Sequence, residues 1–341
     1  MKKYLLPQSG NFYKANLHTH STVSDGKLSP EELKKVYKEH GYSILAYTDH
    51  EILLPHNDLT DENFLTITSV ELAVNLYPNG EKNTYPHIKT YHFNFYSKDA
   101  NKSVISIWDP DLVFDVVKPK ISEEQKQHVY KREYAIDKVN EAIAIANKEG
   151  FLVSYNHPVW SLQDYEDYIG LEGVWGIECY NNVSHRVGLS DNDRPLQDLL
   201  THGKTLFPLA TDDAHNLEDC CGGFVMVKAE KLEYAAVMNA LEKGDFYAST
   251  APEIYELSIE NGVVHIDCSP VREIHMISDC RFASNTCMHL EELTSVDIDL
   301  NAYINLKNTV TPWRKPFVRF VLIDKNGKVA YTRAYGLEEL Q

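Results

Sequence analysis

The chain has 341 residues, 43% of them apolar, and a formal net charge of −17 at pH 7. That length and apolar content suit a large packed core and exclude a disordered chain. The acidic balance argues against a nucleic acid duplex or an anionic membrane as partner, because both are held by basic surfaces.

The opening "MKKYLLPQSG" has too short an apolar stretch for a secretory signal, and Pro7 interrupts it. No segment reaches the ~18 apolar residues of a membrane span. The six cysteines are scattered except for the pair Cys220-Cys221, so reduced thiols in the cytoplasm are expected.

The first informative stretch is "NLHTHSTVSDG", residues 16–26. On a strand, residues i and i+2 share a face, so His18 and His20 would aim two imidazoles at one point. Two converging imidazoles begin a metal site, although one His-x-His is a weak motif by itself.

Further along, the pattern recurs. Seven apolar segments each run into a polar, metal-capable group at their C-terminal end: "FYKANLHTH", "SILAYTDH", "FLTITSVE", "TYHFNFY", "FLVSYNHP", "WGIECYN" and "LFPLATDDAH". Helical stretches separate several of them. "SPEELKKVYKEHG" has Ser29 as N-cap, Pro30 at the first helical position, Glu32 completing a capping box and Gly41 past the end. "SEEQKQHVYKREYAIDKVNEAIAIANKEG" is expected as one long helix ending at Gly150, and "DRPLQDLLTHGK" and "KLEYAAVMNALEKG" as two more. Strands alternating with helices imply a parallel sheet, and reactive groups gathered at strand C-termini suit a closed α/β barrel. The exception is "TYHFNFY", which follows an expected Asn79-Gly80 hairpin turn, so this part is expected either to run antiparallel or to form an excursion from the sheet.

After about residue 250 alternating and β-branched runs take over, with turns at Asn261-Gly262 and Asn326-Gly327. The expected division is a barrel over residues 1–250 and a small antiparallel, β-sandwich-like domain over 251–341.

The strand-end groups are His18, His20, Asp25, His50, Glu71, His92, His157, Asp213 and His215. Mixed imidazole and carboxylate donors suit Zn, Mn or Fe, and the lack of Cys among them argues against a structural zinc knot. Nine donors exceed one tetrahedral ion and fit two or three ions with open positions. Two places offer alternatives: His87 competes with His92, which is preferred because it sits inside the apolar run "YHFNFY" while His87 follows Pro86 near the turn, and Asp212 competes with Asp213. Asp49, beside His50, is expected to support a ligand rather than be one.

"HTHSTVSDG", "YTDHE", "VE", "NHP" and "TDDAH" resemble, in order and spacing, the motifs of the PHP (polymerase and histidinol phosphatase) superfamily of metal-dependent phosphoesterases. The likeness covers roughly residues 11 to 250, and the β-rich end resembles stand-alone two-domain members, a branch that includes carbamate and ester hydrolases. It implies a distorted (β/α)7 barrel. It also implies a trinuclear centre: one ion held by His18, His20, Glu71 and Asp213, a second by the bridging Glu71 with His92 and His157, a third by Asp25, His50 and His215. Some members have His where this chain has Asp25. Catalysis would rest on Glu71, Asp213 and His215.

Three divalent ions against Glu71, Asp213 and Asp25 leave a cationic centre that attracts an oxyanion, with a metal-bound hydroxide as nucleophile. The expected activity is hydrolysis of a small phosphorylated compound, with a carboxyl-ester, carbamate or amide hydrolase, or a non-enzymatic binding protein, as alternatives. Glu178, His185 and Arg186 are the candidate substrate contacts, the arginine through charge-assisted bonds to phosphate.

Overall fold

A computed structural model describes residues 1–77, 87–288, 291–306 and 314–341. The Asn79-Gly80 turn lies outside them. After β1 (Lys3–Tyr4), seven strands follow: β2 (Asn11–Asn16), β3 (Ile44–Tyr47), β4 (Leu65–Asn75), β5 (Thr90–Ser97), β6 (Phe151–Tyr155), β7 (Gly176–Asn181) and β8 (Phe207–Thr211). These are the seven segments read from the sequence, hydrogen-bonded side by side in chain order. β3 and β6 are buried throughout, as strands covered on both faces must be. Pairing is parallel except around β5, which runs antiparallel to both β4 and β6.

Past the ends of β2 and β8 the chain keeps pairing. Thr19 bridges Ala214 in parallel, the His20 N–H donates to the Ala214 carbonyl at 2.9 Å, and the Asp213 N–H donates to the His18 carbonyl at 2.9 Å. The first and last of the seven strands therefore meet where the His-x-His and Asp-x-His motifs lie.

The remaining strands are β9 (Phe224–Ala229), β10 (Phe246–Ser249), β11 (Ile254–Glu260), β12 (Val263–Val271), β13 (Glu273–Ser278), β14 (Ser284–Cys287), β15 (Leu293–Asp299), β16 (Phe317–Ile323), β17 (Val329–Thr332) and β18 (Tyr335–Gly336). Through β9, β10 and β17 the large mixed sheet continues into β16, β13 and β14. A separate antiparallel sheet has the order β1-β11-β12-β15. One apolar cluster joins Tyr37, Met226 and Tyr247 to Leu257, Val264 and Phe320, so side chains from both sides of residue 250 share a core.

Helix α1 (Pro30–Glu39) carries the capping box in full: the Glu32 N–H donates to Ser29 Oγ at 3.3 Å, and the Ser29 N–H donates to Glu32 Oε2 at 2.8 Å. The long helix is a correction. Only α2 (Ile136–Lys148) forms; residues 122–135 are irregular, with a short 3₁₀ turn at Gln125–Gln127. Tertiary bonds outcompete helix there. The Gln125 amide bonds both the N–H and the carbonyl of Ile105, and the Arg132 N–H donates to Asp109. Next come α3 (Tyr165–Tyr168), α4 (Asn182–Arg186), α5 (Arg194–Thr201) and α6 (Tyr234–Lys243). No helix among the described residues is long and apolar enough to cross a membrane.

Candidate metal centre

Glu71, near the middle of β4, is fully buried and surrounded by imidazoles. Its Oε1 lies 3.3 Å from His18 Nε2, 3.1 Å from His92 Nδ1 and 3.4 Å from His157 Nε2. Its Oε2 lies 3.3 Å from His20 Nε2 and 3.2 Å from His50 Nδ1. Asp213 supplies the second carboxylate: Oδ1 is 3.2 Å from His18 Nε2 and 3.0 Å from His20 Nε2. At the outer edge Asp25 lies 3.8 Å from both His20 and His50 and 3.6 Å from His215 Nε2.

Donor atoms close enough to share an ion fall into the groups His18-His20-Glu71-Asp213, Glu71-His92-His157 and His20-Asp25-His50-His215. A fourth group, His18-His157-Glu178, is a hydrogen-bonded support: Glu178 Oε1 is 2.7 Å from His18 Nδ1, and Oε2 accepts the His157 N–H at 2.9 Å.

That donor set fits divalent cations. His18 Nε2 and His20 Nε2 face each other at 3.2 Å, both toward the carboxylates. The buried Glu71 Oε2 has no hydrogen-bond partner. Packed this way, the nitrogens and oxygens need a positive charge among them, and without a metal the imidazoles carry it as protons. Burial pulls His20 down, but the neighbouring carboxylates of Asp213 and Glu71 outweigh it and hold it at about 10. His157 goes the same way, to about 9, against burial and through Glu71 and Asp213. Burial would raise Glu71 and Asp213, yet His18 beside them keeps both well below the usual carboxylate range. His50 moves oppositely, down to about 3, through burial and the charge on His20.

Neighbouring groups fix the imidazole orientations. Glu178 at His18 Nδ1, Ser161 Oγ at His157 Nδ1 (3.1 Å) and the Asp213 carbonyl at His215 Nδ1 (2.7 Å) each turn Nε2 toward the cluster. Asn156 donates to Glu71 Oε1 at 3.0 Å, and Asn181 to Asp213 Oδ2 at 3.2 Å. Asp49 accepts from the backbone and hydroxyl groups of both Ser21 and Ser24, shaping the loop between His20 and Asp25. A Cβ on Gly26 would sit 2.2 Å from the His20 carbonyl oxygen, so the loop closes only with glycine there.

The contested positions separate cleanly. His92 reaches Glu71, whereas His87 is exposed. Asp212 points away from the cluster and accepts from Tyr37 Oη and the N–H groups of Cys221, Gly222 and Gly223. Of the expected substrate contacts, Glu178 is buried behind His18. Arg186 pairs with Asp219 at 2.6 Å, and His185 Nδ1 lies 2.9 Å from Ser190 Oγ. None of the three lines the cavity in front of the cluster.

That cavity has a volume of about 510 Å³. Its walls include groups not singled out from the sequence: Phe114 against His50, Trp160 against His92 and His157, and Glu51, paired with the buried Arg132 at 2.5 Å. The contacts of Phe114 with His50, Trp160 with His92 and Glu51 with Arg132 join segments far apart in the chain, so no local pattern signals them; only Trp160 against His157 is a local contact. Six non-glycine residues among those described have positive φ, and Glu51, His157, Leu162 and Asp213 all line this cavity. Strain gathered at one site is characteristic of functional geometry.

No family model and no curated protein matches the sequence. Among solved structures the chain is similar to a two-domain protein from Bacteroides vulgatus containing a predicted PHP-like metal-dependent phosphoesterase, with 15% identity, 98% of each chain covered and a TM-score of 0.44. It is also similar to a candidate metal-dependent phosphoesterase of Bifidobacterium adolescentis, with 14% identity, 62% of this chain and 89% of that one, and a TM-score of 0.38. A lesion-specific endonuclease from Pyrococcus furiosus aligns at 14% identity over 68% of this chain and 56% of that one, with a TM-score of 0.40.

Proposed function

We propose that this chain is a metal-dependent hydrolase that cleaves a small phosphorylated compound at a centre of two to three divalent ions. The observation that carries this reading is Glu71, one carboxylate within 3.4 Å of five imidazoles drawn from four strand ends. The pairing of Thr19 with Ala214 supports a barrel-like closure of the seven strands around that carboxylate.

In this reading His18, His20, Glu71 and Asp213 hold one ion, Glu71, His92 and His157 a second, and Asp25, His50 and His215 a third. Zn, Mn and Fe all suit these donors. Such ions supply Lewis acidity, lower the pKa of water and clamp oxyanion oxygens. The protein's own part is orientation: Glu178 and Ser161 hold two imidazoles in register, and the apolar walls limit access of bulk water. A small molecule, rather than a nucleic acid duplex or membrane, is the proposed partner. The six free cysteines are compatible with a cytoplasmic setting.

A carboxyl ester is the second reading, favoured by one observation: no Lys or Arg is among the described cavity walls to meet a phosphate. The test is elemental analysis of untagged protein purified without chelator, followed by parallel assay of phosphomonoesters, phosphodiesters and carboxyl esters. Two to three ions per chain with phosphoester turnover is the expected result. Metal near zero that does not rise on reconstitution would overturn the proposal, and turnover of carboxyl esters alone would favour the second reading.

A further inference from the structure

Leu162 has φ of 57°, in the left-handed region that a branched side chain avoids, yet its side chain is 46% exposed. A strained, half-exposed leucine gains little from core packing. It does line the cavity in front of the cluster, as do the part-exposed Phe114 and Leu189. Exposed apolar side chains scattered singly need no explanation, but three converging on one concave site do.

Aromatic surface reaches right up to the imidazoles. The Phe114 ring centre is 5.0 Å from that of His50, and Trp160 lies 5.5 Å from His92 and 5.1 Å from His157. Charge is distributed differently. Asp25 and Glu51 face the cavity, and no Lys or Arg does among the described residues. Basic groups on flanking segments are committed elsewhere: Arg132 to Glu51, Arg186 to Asp219, and Lys120 to the carbonyls of Thr22 and Val23. Among the described walls a second anionic group would meet Asp25 and Glu51 and, besides the imidazoles, only neutral partners such as Asn75, Tyr77 and Thr90, with no Lys or Arg to balance its charge, while an apolar group would find a matching wall.

We infer that the substrate is an aryl phosphoester, or one with a similarly bulky apolar group, carrying a single anionic head, and that Leu162, Phe114 and Trp160 select it. This deepens the phosphoesterase reading and rests on it. The reacting phosphoryl group would face the cluster, and the apolar group would lie outward along these three side chains.

Calorimetric titration of the metal-loaded full chain with phenylphosphonate and with methylphosphonate tests the inference. Both carry the same head and neither is hydrolysed. Phenylphosphonate should bind about tenfold tighter, the discrimination typical of a filled apolar pocket. In Leu162→Asn, which suits a left-handed backbone but is polar, the margin should fall to about threefold or less. Equal binding by the unmodified protein would overturn this inference and leave the phosphoesterase reading intact, and an undiminished margin in Leu162→Asn would remove Leu162 from it. Binding of neither phosphonate, by protein that elemental analysis shows to hold metal, would overturn the reading and this inference together.

Discussion

His18 Nδ1 lies 2.7 Å from Glu178 Oε1, and this contact turns Nε2 of the same ring toward Glu71 and Asp213. Both side chains are fully buried, and Glu178 also accepts from Thr211 Oγ1, Asn181 Nδ2 and the His157 backbone. One carboxylate thus aligns two histidines without reaching the cavity. Replacing it should act on the metal before it acts on substrate. Glu178→Gln is expected to weaken metal affinity by roughly 10- to 100-fold. Competition with a chromogenic chelator measures this; unchanged affinity would remove Glu178 from its positioning role.

Glu71 is the carboxylate shared between two donor groups. Glu71→Gln keeps the shape and removes the charge. Turnover should fall by roughly 100-fold or more, and metal content with it. Full activity at full metal content would show that Glu71 is not a bridge.

The metal-free protein should be most stable near pH 6.5. His20 and His157, held at about 10 and about 9, contribute stability that is fully present below the ordinary imidazole pKa and is lost as pH rises through those values. His50, lowered to about 3, works the other way: as pH falls below about 6.5 the unfolded chain gains a proton there that the folded chain refuses. Melting temperature in chelator should therefore fall on both sides, and added metal should flatten the alkaline side by replacing the protons. A flat alkaline limb in chelator would contradict this charge balance.

Glu51 and Arg132 form a buried pair at the cavity wall, 2.5 Å apart. Arg132→Met leaves the Glu51 carboxylate buried without its cation, at a cost of about 3–5 kcal/mol. The double change Glu51→Gln with Arg132→Met should recover part of that. Urea denaturation of the three proteins gives the comparison, and a single variant as stable as the parent would show that the pair contributes little.

A chain ending at residue 250 would lose β17, the partner of β10, and β11, the partner of β1. It would also bare the apolar cluster shared by Tyr37, Tyr247, Leu257 and Phe320. Such a chain is expected to aggregate. A soluble, cooperatively folding, metal-binding product would instead make residues 1–250 a self-sufficient unit.

Local rules acting on the sequence by itself determined the seven strands, the capping box of α1 and the strand-end histidines. Apolar runs ending in polar groups, and Ser29 spaced three residues from Glu32, express preferences that need no distant partner. The PHP-like motifs likewise pointed to the residues that the structure gathers around Glu71. Other features rest on contacts made across the chain. The Asp-x-His pattern in "TDDAH" already favours Asp213 over its neighbour Asp212; what the fold adds is the means, a left-handed backbone at Asp213 (φ 56°) and the amides of residues 221–223, which send one to the imidazoles and the other away. Residues 122–135 have a helical pattern, but bonds to Ile105 and Asp109 hold part of them irregular beside the cavity. Glu178 reads as a substrate contact from its strand end, and lies behind His18 because contacts across 160 residues are set by how the strands come together. Such pairings depend on which ends of the chain meet, and a one-dimensional pattern carries no term for that.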